Sequence, residues 1–524
     1  MDRPDWQRQQ HTARFSPESG ETARLPPLRE EVTRVPPAYK TLDRISEGFI
    51  YFLVVAGPWL FGSVDPWAVW IMNSGAYVLG MCLIGKWVVA RRQNYKPTRW
   101  GDEETGETEG EEGRRTKRGG EIWTRCLAAL TVLIPGYCLV SGLNARATFH
   151  VDEQRFEYYE HVSWLPHSYD RGSTFFTFWT FVALAAFFWS VRDWLMRRTS
   201  RDPKRRADSQ RVPTRLKRLM WVLCLNGAAL GIEAILQRLS GTTKVLWLIE
   251  PRWNNTPEVQ YGPYPYRSNA AEYFNLLWPV CLGFWWLLQR EFKSTPRKSS
   301  RVGGGPHLLL LPCTIIMAAA PIVSMSRGGA VVSGLLMALA LPILTILDRK
   351  TTRGFRAGIV IVFGIVVASG WFLSGDVLRQ RFRTIFTDRM SGRTEIYRNA
   401  SQMAVDYPML GIGPGAFAAI YQFYRSDPGD MWAGHLHDDW LEFRVTFGLL
   451  GMMLLLLALA GILSRPFWGP GLTVDWPYLA LIFLALGGCL VHAKYDFPLQ
   501  IDSINRLFVL LAALLSVLAR KRVQ

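Results

Sequence analysis

Apolar runs long enough to cross a bilayer recur along the chain. Examples are "VVSGLLMALALPILTIL", "MMLLLLALAGIL" and "RLFVLLAALLSVLA", each extended by its neighbours toward the roughly 20 residues that a helical span needs. The expected fold is therefore an all-α polytopic membrane protein. About twelve segments fit, near 45–62, 67–90, 121–141, 173–191, 217–238, 270–290, 307–325, 328–347, 357–374, 440–463, 475–493 and 501–519. The 22 tryptophans suit such a protein, because the indole favours the membrane–water interface. Mean hydropathy is only +0.06, since polar tails and loops dilute the spans.

The net charge of +17 would suggest nucleic acid in a soluble protein. Here Lys and Arg cluster between apolar runs, without basic repeats and interleaved aromatics, so nucleic-acid binding is rejected. The segment 192–218 holds eleven Lys/Arg, and "REFKSTPRKSSR", "DRKTTRGFR" and the terminal "RKR" are also basic. All fall on one side if the chain starts inside, as the positive-inside rule requires. Both termini are then expected in the cytoplasm. Residues 1–44, with "RLPPLREEVTRVPPAYK", lack periodicity and read as a disordered cytoplasmic tail; residues 45–519 form the transmembrane domain. The seven cysteines lie in or beside apolar runs without CxxC spacing and read as small packing residues.

Three long segments fall outside, near 142–172, 239–269 and 375–439. The last is the largest, and a loop of that length in a compact membrane domain is usually functional. It carries Arg379, Arg381, Arg383, Arg389, Arg393, Arg398 and Arg425 and no lysine. About half of these are expected to pair with Asp376, Asp388, Glu395 and Asp406. Others suit a phosphate, because the guanidinium is a planar fork for oxyanions. Arg327 in "MSRGG" and Arg267 in "YGPYPYRSNAAEYFN" stand at the outer ends of two further spans. Arg267, Arg327 and Arg393 thus come from three segments that can converge at the outer surface.

At the end of that loop stands "HLHDDWLEF", with two histidines, two aspartates and a glutamate within eight residues. Asp438 or Asp439 can cap the following helix. His435 and His437 are two residues apart and share no helical face, and HExxH is absent, so a metal site is not expected. A histidine beside a carboxylate and near anion-binding arginines suits proton removal from a hydroxyl.

Four pieces resemble a known family. They are "GPYPYRSNAAEYFNLLWP", "SMSRGGAVV", "SGRTEIYRNASQMAVDYPMLGIGPGAF" and "HLHDDWLEFRVTFGLLG", with a late "VHAKYDFPLQI" as a fifth. Together, over roughly 260–510, the chain resembles the O-antigen ligase-related (O-antigen ligase/polymerase) family of bacterial membrane glycosyltransferases. The resemblance implies a GT-C-like membrane fold with a large periplasmic loop in the bacterial inner membrane. It implies transfer of a glycan from an undecaprenyl-pyrophosphate carrier to a lipid, glycan or protein hydroxyl at the periplasmic face, in lipopolysaccharide or other cell-envelope polysaccharide biosynthesis. No cofactor and no metal are implied, because the donor carries its own leaving group. By the match His437 is the general base, with His435 as an alternative and Asp438 as support. Arg267, Arg327 and Arg393 take the pyrophosphate positions. The chain departs from the pattern at Tyr266, Asp438 and Thr446, where the family has Asn, Asn and often Glu. The competing readings are a repeat-unit polymerase, a transporter of an anionic or lipid-linked substrate, and a regulatory membrane scaffold. A transporter favours mid-membrane charge and related halves, and no clear internal repeat is seen.

Overall fold

The computed structural model describes residues 35–100, 111–199, 202, 212–251, 256–294, 305–346, 357–361, 363–368, 372, 391–425, 433–468 and 471–520. Residues 1–34 of the expected tail and Arg379, Arg381, Arg383 and Arg389 lie outside them. The helices run α1 Pro37–Trp59, α2 Pro66–Arg92, α3 Glu111–Leu143, α4 Arg171–Met196, α5 Thr214–Ser240, α6 Arg267–Ser294, α7 Leu310–Val323, α8 Arg327–Thr345, α9 Ser391–Asp406, α10 Phe417–Tyr421, α11 Asp439–Ser464, α12 Trp476–His492 and α13 Asp502–Val517. Two short sheets accompany them. β1 Ala147–His150 pairs antiparallel with β2 Arg155–Tyr158, and β3 Leu472–Val474 pairs parallel with β4 Leu518–Arg520.

Seven helical segments among the described residues are long and apolar enough to cross a membrane: α2, α3, α4, α5, α7 with its preceding turn, α8 and α11. The chain is a mainly helical, multi-pass membrane protein. The expected count of about twelve exceeds those seven. α13 falls short by length, with 16 residues, and both α6 and α13 bury polar groups: Glu272 and Asn275 on α6, and Asp502 and Arg506 on α13. Arg506 is paired inside α13 to Asp502 at 2.6 Å and donates to Asn73 of α2. Paired charge of this kind lowers hydropathy without exposing the helix to water.

The tail boundary at residue 44 is also corrected. α1 starts at Pro37, where a missing N–H costs nothing. Asp43 is buried and meets Arg215, Arg197 and Lys86, and Lys86 also pairs with Asp193 at 2.9 Å. This network ties the start of α1 to the ends of α2 and α4 and the start of α5. Asp43, and Tyr39 whose ring faces Arg197, are the residues of 37–44 that belong to it.

The opposite end of the bundle gathers the starts of α6, α8, α11 and α13 with the end of α12. Two of the segments expected outside pack there against each other. Tyr169 joins Ala400, Met403, Ile412, Phe417, Ile420 and Leu436 in a small apolar core of their own. The long loop is thus partly folded around α9 and α10.

α11 is not continuous. Gly448 has φ 62° and ψ −171°, a conformation open only to glycine. The turn at Pro408–Gly415 repairs the break. Leu449 and Leu450 N–H donate to Pro408 and Met409 carbonyls at 3.0 and 3.1 Å, and Ile412 and Gly413 N–H donate to Val445 and Thr446 carbonyls at 3.0 and 3.1 Å. A broken helix within a membrane protein needs such replacements. A methyl on Gly448 would meet Met409 O at 2.3 Å, so the two glycine-rich pieces fit only as a pair. From α3, the Tyr137 hydroxyl lies 2.6 Å from Leu410 O and 2.9 Å from Phe447 O and shares its proton between them. Tyr137→Phe is expected to cost about 1–3 kcal/mol, since it strands buried carbonyls. Thermal unfolding in detergent checks this; an unchanged Tm would contradict it.

Candidate functional site

Asp438 is the N-cap of α11. Its Oδ1 accepts from Leu441 N–H at 3.1 Å, and its Oδ2 pairs with Lys494 at 2.5 Å. Both oxygens are thus occupied away from the imidazole next to it in sequence. Of the two roles expected for Asp438, the structure shows the cap, and the carboxylate on His437 is a different one. Further bonds fasten this helix start to the end of α12 and the segment after it. Asp439 N–H donates to Ala493 O at 2.8 Å, Leu499 N–H donates to Asp439 Oδ2 at 2.8 Å, and Trp440 Nε1 donates to Leu490 O at 2.9 Å.

This fastening brings His437 to Asp496. His437 Nδ1 lies 3.0 Å from Asp496 Oδ1. The backbone of His437 has φ 59°, a left-handed conformation that a non-glycine residue adopts at a cost. The surroundings impose it: Tyr397 OH donates to His437 O at 2.8 Å, and the ring stands edge-on to Phe497 at 4.7 Å. Its side chain remains 28% exposed, against 5% for Asp496. The imidazole therefore has one nitrogen anchored inward and an edge open to a ligand.

Asp496 is the most heavily engaged group of the site. Besides His437, Oδ1 accepts from Phe497 N–H at 3.1 Å. Oδ2 accepts from Ser268 OH at 2.5 Å and Tyr266 OH at 3.3 Å. Arg393 Nη2 stands 3.8 Å from Oδ2. Burial opposes its charge, but the His437 hydrogen bond and the Arg393 guanidinium prevail, and the carboxyl is held well below the usual range. It is an anion at any physiological pH.

Arg393 on α9 donates to Tyr495 O and, at 3.2 Å, to Tyr266 OH. Burial alone would lower its pKa, yet Asp496, Tyr266 and Tyr397 raise it. Tyr266 is the point at which the sequence departs from the family pattern. In the structure it stacks on Phe497 at 5.7 Å and links Arg393 to Asp496, and burial followed by the Asp496 charge pushes its phenol pKa up.

Of the three expected arginines, Arg393 is in the cluster itself. Arg267 precedes Ser268 at the start of α6, but its guanidinium donates to Glu258 O, toward the loop. Arg327 is half-buried as the first residue of α8. Its capping neighbour Ser326 donates to Ser268 Oγ at 3.3 Å. α8 sits close against α6, because Gly329 leaves no room for a methyl beside Ala271 and its carbonyl accepts from Asn275 at 3.1 Å. The three arginine-bearing elements therefore meet around Ser268, with Arg393 in direct contact with the Asp496 network.

His435 has its own carboxylate. Its Nδ1 lies 3.3 Å from Glu442 Oε1, and its ring stacks on Phe497 at 4.6 Å. Glu442 Oε2 also accepts from Leu436 N–H at 2.8 Å, so this pair shapes the loop that presents His437. Among the described residues no three His, Cys, Asp or Glu side chains gather as a metal would require.

The cap gives a direct check. Asp438→Ala is expected to destabilise the protein by about 1 kcal/mol, whereas Asp438→Asn, which keeps a capping oxygen, costs only a few tenths. The Lys494 pair adds little, because Lys494 is 56% exposed. Equal losses of thermal stability in the two variants would show that the charge, and not the cap, matters.

Comparison with known proteins adds one finding. Residues 312–456 match the family model described as O-Antigen ligase. The match takes in most of α7, then α8, α9, the glycine-rich turn, α10 and most of α11, with Arg327, Arg393, His435 and His437. No curated protein matches the chain.

Proposed function

With residues 312–456 supporting an O-antigen ligase-related family, we propose that this membrane enzyme is a glycosyltransferase that moves a glycan from an undecaprenyl-pyrophosphate carrier to an acceptor hydroxyl at the periplasmic face of the bacterial inner membrane. The observation that carries the proposal is the His437–Asp496 pair beside Arg393. Asp496 is an anion, so the nitrogen facing it, Nδ1, carries a proton and donates. Nε2 then holds a lone pair, as a general base requires.

In the proposed reaction Nε2 removes the proton of the acceptor hydroxyl as its oxygen bonds to the anomeric carbon of the donor. The bond from that carbon to the pyrophosphate oxygen breaks, and undecaprenyl pyrophosphate leaves with the electron pair. Asp496 stabilises the imidazolium that forms. Arg393, with Arg327 and Arg267 from the neighbouring helix starts, neutralises the pyrophosphate as charge develops. The leaving group is built into the donor, and cationic side chains supply the positive charge. The basic segments on the far side of the spans favour cytoplasmic termini and hence a periplasmic site. A repeat-unit polymerase would use the same groups; it differs only in whether the acceptor hydroxyl belongs to another lipid-linked chain.

His437→Ala in the native host is expected to lower transfer by about 10²–10⁴-fold, with surface glycan lost and lipid-linked intermediate accumulating. Long accumulated chains indicate a ligase and single units a polymerase. Normal surface glycan with a stably inserted variant would overturn the assignment. Arg393→Lys is expected to lose most activity despite keeping its charge, because an ammonium cannot bridge Tyr495 O and Tyr266 OH as the fork does. Wild-type rates in that variant would count against it.

A further inference from the structure

Behind Asp496 lies a second histidine–carboxylate pair that the reaction above does not use. His492, the last residue of α12, contacts Glu272 of α6 through Nδ1. The two side chains are only 2% and 0% exposed, so neither meets substrate or solvent. His492 Nε2 faces Ser268 Oγ at 3.2 Å. Gly328 of α8 covers the ring, and a methyl there would stand 3.1 Å from Nε2. The charged and titratable groups facing this histidine are thus Glu272 of α6, Asp496 of the following turn and, farther off, Arg393 of α9.

Proton counting fixes the direction of these bonds. Ser268 has one hydroxyl proton, and the Asp496 anion takes it at 2.5 Å. Ser326 donates its own proton to Ser268 Oγ at 3.3 Å. Ser268 has no proton left for His492, so His492 Nε2 must donate. That requires a proton on Nε2, and the Glu272 contact at Nδ1 accommodates it in two ways: a protonated Glu272 donates to a bare Nδ1, or an ionised Glu272 balances a fully protonated ring. Were Nε2 unprotonated, the hydroxyl of Ser268 would turn to it, and Asp496 Oδ2 would lose its shortest bond.

We propose that the buried Glu272–His492 pair, acting through Ser268, is a positioning device that holds the Asp496 carboxylate in the orientation in which it grips His437. The chain runs Glu272, His492, Ser268, Asp496, His437 and joins α6, α12 and the loop before α11. None of the first three is a catalytic residue; each acts on the base through Asp496. Such supporting hydrogen bonds are typically worth about 10–100-fold in function. They act on turnover and leave donor binding alone, because they touch neither sugar nor pyrophosphate.

This inference rests on the proposed function, and the experiment separates the two. Membrane vesicles carrying the full-length protein are supplied with the lipid-linked glycan that accumulates in a His437→Ala host. Transfer to the acceptor in native membranes is followed against donor concentration and pH. His492→Leu and Ser268→Ala are expected to lower kcat by about 10–100-fold with donor KM within about twofold. Asp496 then loses a donor and becomes more basic toward the imidazole, so the acid limb of the rate profile moves to higher pH. His492→Gln, whose amide N–H can occupy the Nε2 position, is expected to recover most of the lost rate. A merely structural role would neither shift the pH limb nor be rescued by glutamine. Wild-type kcat and an unmoved limb in both His492→Leu and Ser268→Ala would overturn the inference while His437→Ala remained inactive. If His437→Ala accumulates no donor and transfers normally, the proposed function itself fails. Should His492→Leu not insert, Ser268→Ala, a smaller change, still decides.

Discussion

The buried carboxylate of Asp496 is the group on which the arrangement depends. An isolated anion so removed from water would take up a proton. Here a histidine, a serine, a tyrosine, a backbone N–H and a nearby arginine keep it charged. Apart from the N–H of its own neighbour Phe497, the partners come from three parts of the chain: the loop before α11, the stretch Tyr266–Ser268 that opens α6, and α9. The need to satisfy one carboxylate therefore draws three pieces to the turn after α12. It also sets the tautomer of His437, since only Nδ1–H suits an anion. Structure and chemistry meet in that one bond.

The rest of the fold holds these pieces in place. The networks at the two ends of the bundle differ in kind. Asp43, Lys86, Arg215 and Asp193 form ion pairs within the protein, tying four helix ends together. At the other end His437 keeps an exposed edge, and α8 begins with a half-buried arginine. The interruption of α11 at Gly448 belongs to the same design. The freed backbone groups bond the Pro408–Gly415 turn, which follows α9 directly. α9 carries Arg393, so the break ties the arginine and the histidine to one helix. A continuous α11 would leave that turn without partners.

Much of this was legible in the sequence, for identifiable reasons. Long apolar runs announce membrane helices, and the match over residues 312–456 coincides with pieces that resembled the O-antigen ligase family. His437 and Arg393 stood out because charged groups beside an apolar span demand an explanation. Asp496 and His492 were given no role, although the piece that holds them, "VHAKYDFPLQ", was among those that resembled the family. They are 59 and 55 positions from His437, and only folding of α11 against α12 makes them neighbours. For Asp438 the sequence offered both a cap and support of His437: adjacency suggested contact with the imidazole, yet the N-cap geometry turns its carboxylate to Leu441 N–H and Lys494. Tyr266 looked like a departure from pattern, but its hydroxyl carries a bridge between Arg393 and Asp496. The polar start of α1 was read as tail because Asp43 pairs with distant partners that periodicity cannot reveal.

The central claim is that Asp496 orients and charges the base, and one measurement tests it most directly: the rate of glycan transfer by Asp496→Asn in native membranes, compared with wild type at saturating lipid-linked donor. Asparagine keeps the shape but can present an N–H to His437 and favour the wrong tautomer. The account predicts that kcat falls by at least about 10²-fold while the protein remains inserted and binds donor as before. Transfer at the wild-type rate would contradict it.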